Sequence, residues 1–259
     1  MNITKGAWNK YIKVLEKMNT DASDDMVQFL ESIRKRGISG EQANKMIIDH
    51  AYAVATKYGE GAAAASCDMY DAVAILSKAN VPPAVPAPTA TYSETAKTVN
   101  GARLFSLKDE VTGAAVGRLV KQAGVDTTMQ NAIRDGAEWA WIPSGDTCAF
   151  CLTLSSQGWM PASQDQMNGD HAEHIHNNCN CTFAIRFNES TDVAGYDPEK
   201  YRDMYYGAEG NTPQQRINYM RRQFYKENKD AINAQKRDAY AKRVELNSSK
   251  AEEVNVDKL

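Results

Sequence analysis

"SGEQANKMIIDHAYAVATKYGEG", residues 39–61, decides the fold class, because its apolar residues recur at three- and four-residue steps, as on one face of a helix. Ser39 stands where a helix N-cap belongs and Gly59 where a helix exits. The same rhythm surrounds this stretch. Upstream, Trp8, Tyr11, Ile12, Leu15 and Met18 mark one helix, and Met26, Phe29, Leu30 and Ile33 a second, which Gly37 and Gly40 stop. Downstream, a fourth helix over 62–79 has alanines for close contact and Met69, Tyr70, Val73 and Leu76 for bulk. His50 and Cys67 fall inside these patterns and read as packing or surface positions.

"NVPPAVPAPTATYS", residues 80–93, interrupts the helical text. Its prolines favour an extended polyproline strap or linker. Helices are expected again over 99–122 and 127–141, the second ended by "WIPSG" at 141–145. "CTFAIRF", residues 181–187, alternates Phe183, Ile185 and Phe187 with smaller or polar residues and predicts a short strand. "YDPEKYRDMYY" pairs an Asp cap with Pro at the first helical position, and "NTPQQRI" repeats the device with Gln215 at the third. From Pro213 to Arg243 the spacing predicts one long basic helix with nine Lys or Arg against three Asp or Glu. Its apolar stripe is weak, so it needs a partner surface to hold it. "SSKAEEVNVDKL", residues 248–259, reads as a polar tail.

The expected class is therefore mainly α. It comprises a helical N-terminal region (1–80), a Pro-rich linker (81–95), a helical region (96–140), a small α+β Cys/His module (141–195), basic C-terminal helices (196–247) and a tail (248–259). The 259 residues, net charge of −3 and 42% hydrophobic content fit a globular chain. No apolar run of about 18 residues appears, and no signal-peptide pattern opens the sequence, so no membrane role is expected. A reducing compartment follows, where thiols more often ligate metals than form disulfides.

Two stretches concentrate soft ligands. "GDTCAFCLTL", residues 145–154, supplies Cys148 and Cys151 at C-x-x-C spacing, and "HIHNNCNC", residues 174–181, supplies His176, Cys179 and Cys181. A tight turn lets C-x-x-C grip one ion, and a second pair from a distant stretch completes a tetrahedron. The ligands are read as Cys148, Cys151, His176 and either Cys181 or Cys179, since strand-like alternation sends those last two to opposite faces. Structural Zn2+ is the expected cofactor, because a closed site rich in thiolates leaves no open position for water. Two disulfides would suit an oxidising compartment, and a redox pair would want a βαβ frame; neither setting is legible here. His171, His174, His176 and Asn177, inside "DHAEHIHNN", offer an alternative: a metal-dependent nuclease of the histidine-metal finger type. Without it, the chain is read as no enzyme, and these residues as neighbours of the zinc turn.

"AGVDTTMQNAIRDGAEWAWIPSGDTCAFCLTLSSQGW", then "GDHAEHIHNNCNCTFAIRF", then the run from Val193 to Arg243 resemble the Mu F-like minor head proteins of tailed bacteriophages. The likeness is greatest to the minor capsid proteins of phages of Firmicutes, and extends more weakly over "KYGEGAAAASCDMYDAV". The resemblance implies a low-copy protein of the phage head interior, assembled in the host bacterial cytoplasm, associated with the portal and linked to head morphogenesis and DNA packaging or ejection. Implied partners are the portal protein and packaged double-stranded DNA, with the major capsid protein and further copies of itself as additional candidates. In that setting Arg216, Arg221, Arg222, Lys226, Lys229, Lys236, Arg237, Lys242 and Arg243 would neutralise phosphates without reading bases. A zinc module that binds nucleic acid outside any virion is the third reading.

Overall fold

The computed structural model describes residues 2–143, 149–164 and 182–256, and only the backbone at 149–150, 235, 239 and 242–256. The chain is mainly helical. Helix α1 (Lys5–Lys35) begins at Thr4, whose hydroxyl accepts the Ala7 N–H at 3.2 Å. It buries Trp8, Tyr11, Ile12, Ala22, Met26, Leu30 and Ile33 on one side. The two helices expected before residue 37 are thus one. The polar interval hides the continuity because Asn19 and Ser23 face α4 (Asp109–Asp135) at Gly117 and Gly113, where the axes approach too closely for larger groups.

Helix α2 (Gly40–Ser77) also merges two expected helices. Gly59 is no exit: a Cβ there would lie 3.0 Å from Thr89 Cγ2 and 3.5 Å from Ala123 Cβ, so glycine admits the strap and α4. The real exit is Lys78, in the left-handed region at φ 53°, with its N–H returning to Ala74 and Ile75. Helix α3 (Tyr92–Phe105) starts earlier than expected because Thr91 and Glu94 form a reciprocal capping box. The break between the next two helices falls at 106–108 instead of 122–127. Helix α4 runs through the latter interval and stops at Gly136, φ +64°.

Trp139 and Trp141, expected at a helix end, lie in strand β2 (Glu138–Ile142). It is the centre of a three-stranded antiparallel sheet, with β3 (Met160–Pro161) on one side and β4 (Thr182–Arg186) on the other. Trp139 pairs with Ile185 and Trp141 with Phe183, and the Phe183 ring meets both indoles at 5.4 and 5.6 Å between centroids. The N-terminal strand β1 (Asn2–Ile3) pairs in parallel with β5 (Asp192–Val193), tying the start of the chain to the far side of this module. One core joins the sheet to α1, α2 and α4 around Tyr11, Tyr70, Met129 and Trp139; a second fills the other end of the helical bundle around Met26, Ile47 and Val120.

The Pro-rich segment is a strap laid on this bundle. Ala84 N–H donates to Asp71 at 2.8 Å, Ala87 N–H to Thr127 at 3.0 Å, and Arg134 donates to the carbonyls of Pro82 and Pro83. Helices α5 (Ala149–Ser155), α6 (Pro198–Tyr206) and α7 (Pro213–Val256) complete the set among the described residues. Asp197 caps α6 as expected, accepting the Lys200 N–H at 3.2 Å. At α7, Thr212 accepts the Gln215 N–H at 3.2 Å, while the Gln215 side chain accepts from Asn211 N–H at 2.8 Å. The helix continues through Val256, so the expected tail is partly helical.

Candidate metal centre and nucleic-acid interface

Most of the Cys/His ligand set lies outside the described residues: Cys148, His176, Cys179 and Cys181, together with His171, His174 and Asn177. Cys151 is described. It sits on α5, 2% exposed, within the core that holds Trp141 and Phe183. Its carbonyl accepts the Ser155 hydroxyl at 2.7 Å. Among the described residues no group of three or more His, Cys, Asp or Glu is placed to hold a metal ion.

What the described frame supplies is the placement of the two ligand-bearing stretches. Ile142 pairs directly with Thr182 at one end of the β2–β4 ladder. Paired residues on antiparallel strands stand about 5 Å apart. Cys181 immediately precedes Thr182, and Cys148 follows Ile142 by six residues. Both ligand-bearing stretches therefore depart from the same ladder end. Helix α5 packs on β2, which brings Cys151 to the same region. The donor chemistry, thiols with an imidazole, suits zinc.

The described shell around the sheet was not legible beforehand. Arg186 Nε donates to Glu138 Oε2 at 2.6 Å while its guanidinium lies 4.8 Å over the Trp159 ring. Trp159 meets Tyr196 edge-on at 5.9 Å, and the Tyr196 hydroxyl donates to the Ser155 carbonyl at 2.9 Å. Burial pushes the Tyr196 phenol well above its ordinary range, so it stays a donor. Cross-strand alternation signals part of this group, but Glu138 and Arg186, 48 positions apart, carry no local signature.

Helix α7 has two sides. Met220 and Phe224 are buried with Leu152 and Ala208, fastening the helix to α5 and α6. Arg221, Arg222, Lys226, Lys229, Lys236 and Arg237 are exposed. At helical pitch those six span an arc of about 160°, set away from Met220 and Phe224, and one buried residue, Ile232, falls within it. Lys236 lies over the Tyr225 ring at 5.6 Å. Arg216 differs from the rest: it is half-buried and its Nε donates to the Gly210 carbonyl at 3.3 Å. Lys242 and Arg243 continue the helix, with side chains outside the described set. Glu227 pairs with Lys200 at 3.3 Å, which leaves the basic arc uninterrupted by that acid.

No described helix is long and apolar enough to cross a membrane. No curated protein and no solved structure matches the sequence. One family model does, that of the VG15 protein, over residues 2–208, which takes in the helical bundle, the sheet and α6 and stops before α7. With that span matched, the chain belongs to the VG15 protein family, a family of viral (phage) proteins.

Proposed function

We propose that the chain is a phage minor capsid protein of head morphogenesis, bound to the portal inside the head, of the Mu F-like kind. Family membership supplies the phage setting. The observation on this molecule that carries the reading is α7, moored by Met220 and Phe224 with six cations turned outward. A helix so arranged gains counterion-release free energy against packed phosphates and reads no sequence.

A structural zinc ion belongs to the same reading. Cys148, Cys151, His176 and either Cys181 or Cys179 would hold it; the Ile142–Thr182 pair is where the stretches that carry them leave the ladder. The ion would supply a cross-link and no reaction chemistry. The chain's own residues do the remaining work: β2 and β4 bring the two stretches together, and the Trp139–Phe183–Trp141 cluster keeps that end of the sheet dry.

Quantitative proteomics of purified, nuclease-treated virions tests the role. A few copies per particle, lost together with the portal, is the expected result; absence from the virion overturns it. Incubation with plasmid and magnesium or manganese tests the nuclease alternative. Metal-dependent cleavage abolished by His174→Ala would replace the structural reading with a catalytic one.

A further inference from the structure

Where the Pro-rich strap runs into α3, a cavity of about 470 Å3 opens between α3 and α4. That size suits a small molecule. Its two walls carry both signs of charge, and they carry them in the same order. On α3, Glu94 lies nearer the strap and Lys97 about one turn further on. On α4, Asp126 lies nearer the strap, beside the Thr127 that bonds Ala87, and Arg118 about two turns back. Lys97 and Arg118 also border the next groove toward the 106–108 turn, which Glu94 and Asp126 do not reach. The cavity is thus acidic at its strap end and basic at the other.

Neither charge on the α4 wall is matched by the chain. Asp126 is half-buried, and its one hydrogen bond among the described residues comes from Gln122 Nε2 at 2.7 Å, a neutral amide of the same helix. Burial raises the Asp126 carboxyl above its ordinary range; the Gln122 bond opposes that, and the Glu94 charge adds to it. Arg118 is half-buried too, and makes no hydrogen bond or ion pair among the described residues. Glu94 is held in place, since it accepts the Thr91 N–H at 2.8 Å and the Thr91 hydroxyl at 2.7 Å. Partly desolvated charges of opposite sign gain most from a ligand that neutralises both.

We propose that this cavity binds a small linear zwitterion, an ω-amino acid or short peptide, with its ammonium at Glu94 and Asp126 and its carboxylate at Lys97 and Arg118. Asp126 and Arg118 stand about 12 Å apart along the helix axis, and an arginine side chain spans roughly half of that. The charges of the ligand should therefore lie on the order of 6–10 Å apart, further than in an α-amino acid and close to those of ε-aminocaproate. A diamine or a dicarboxylate would meet its own sign at one end. The site is independent of the metal module and of α7.

Saturation-transfer NMR titrations of the full chain with ε-aminocaproate, hexylamine and hexanoate test the proposal. The zwitterion should bind, and each single-charge analogue should bind about ten-fold more weakly, having lost one charge-assisted contact. Asp126→Asn and Arg118→Met should each weaken the zwitterion about ten-fold. Neither should lower the melting temperature, since the amide keeps the Gln122 bond and methionine keeps the aliphatic stem. If either variant melts early, the exposed Lys97→Gln serves in its place. A wild type that binds no zwitterion overturns the proposal. Binding that the variants leave unaltered, or that either analogue matches, overturns it equally, because the order of charges then selects nothing.

Discussion

The side-chain amide of Asn131 brackets the backbone of Val85. Its Nδ2 donates to the Val85 carbonyl at 2.8 Å, and its Oδ1 accepts the Val85 N–H at 2.9 Å, as a neighbouring strand would do. Asn131 also donates to Thr127 O at 2.7 Å and is almost wholly buried. A strap with no secondary structure of its own thereby has its polar groups satisfied. Asn131→Ala should cost about 2–4 kcal/mol, since it deletes three side-chain bonds and strands the part-buried amide and carbonyl of Val85. Urea melts would show the loss, and limited proteolysis with mass mapping should show new cleavage within 79–91. An uncleaved strap would mean the prolines alone hold it.

Two glycines should respond with opposite signs. A Cβ at Gly113 would stand 2.7 Å from the Ser23 carbonyl oxygen, which is backbone and cannot swing aside. Gly113→Ala should destabilise by about 1–3 kcal/mol despite the better helix former. At Gly101, inside α3, nothing lies within 4 Å, so Gly101→Ala should stabilise by about 0.5–1 kcal/mol. Paired denaturation curves at low micromolar protein check both.

Asp135 should govern part of the acid limb. Hydrogen bonding from Arg134 holds its carboxyl below the usual carboxylate range, with a further contribution from the Tyr70 hydroxyl at 2.7 Å; burial opposes both. A depressed folded-state pKa adds stability above the unfolded value, near 4, and that stability disappears as pH falls through the folded value. Asp135→Asn should therefore lower the melting temperature at neutral pH and leave a shallower decline below about pH 4. Parallel melts from neutral to strongly acidic pH measure it; identical slopes would remove Asp135 from the account.

Cysteine substitutions separate the proposed fastener from ordinary packing. Cys148→Ser should lose bound zinc and several kcal/mol of stability, because zinc affinity in small modules is largely folding free energy. Cys67, half-buried on α2, should tolerate serine with little change. Elemental analysis beside the melts gives the answer, and equal curves for the two variants would count against the metal.

Salt dependence tests the basic arc. Replacing Lys226, Lys229 and Arg237 by Ala should weaken plasmid binding uniformly across sequences. The slope of log affinity against log salt should shrink by up to about 0.9 per cation removed. Circular dichroism should be unchanged, because none of the three is buried. An unaltered slope would assign DNA contact to another surface.

Periodicity, caps, prolines and charge determined that the chain is mainly helical, that 182–186 is a strand, where α6 and α7 begin, and that α7 is basic. Those features are local: a cap, a proline or an alternating run acts within one turn of itself. Tertiary structure decided the rest. Gly59 reads as an exit until Thr89 and Ala123 are seen against it, and the polar middle of α1 reads as a break until α4 is found pressed there. Trp139 and Trp141 became a strand because Ile185 and Phe183 arrive from over 40 residues away. The ligand types of the candidate metal centre stand plainly in the sequence; their common point of departure depends on the Ile142–Thr182 pair, a long-range hydrogen-bonded register that no local pattern encodes.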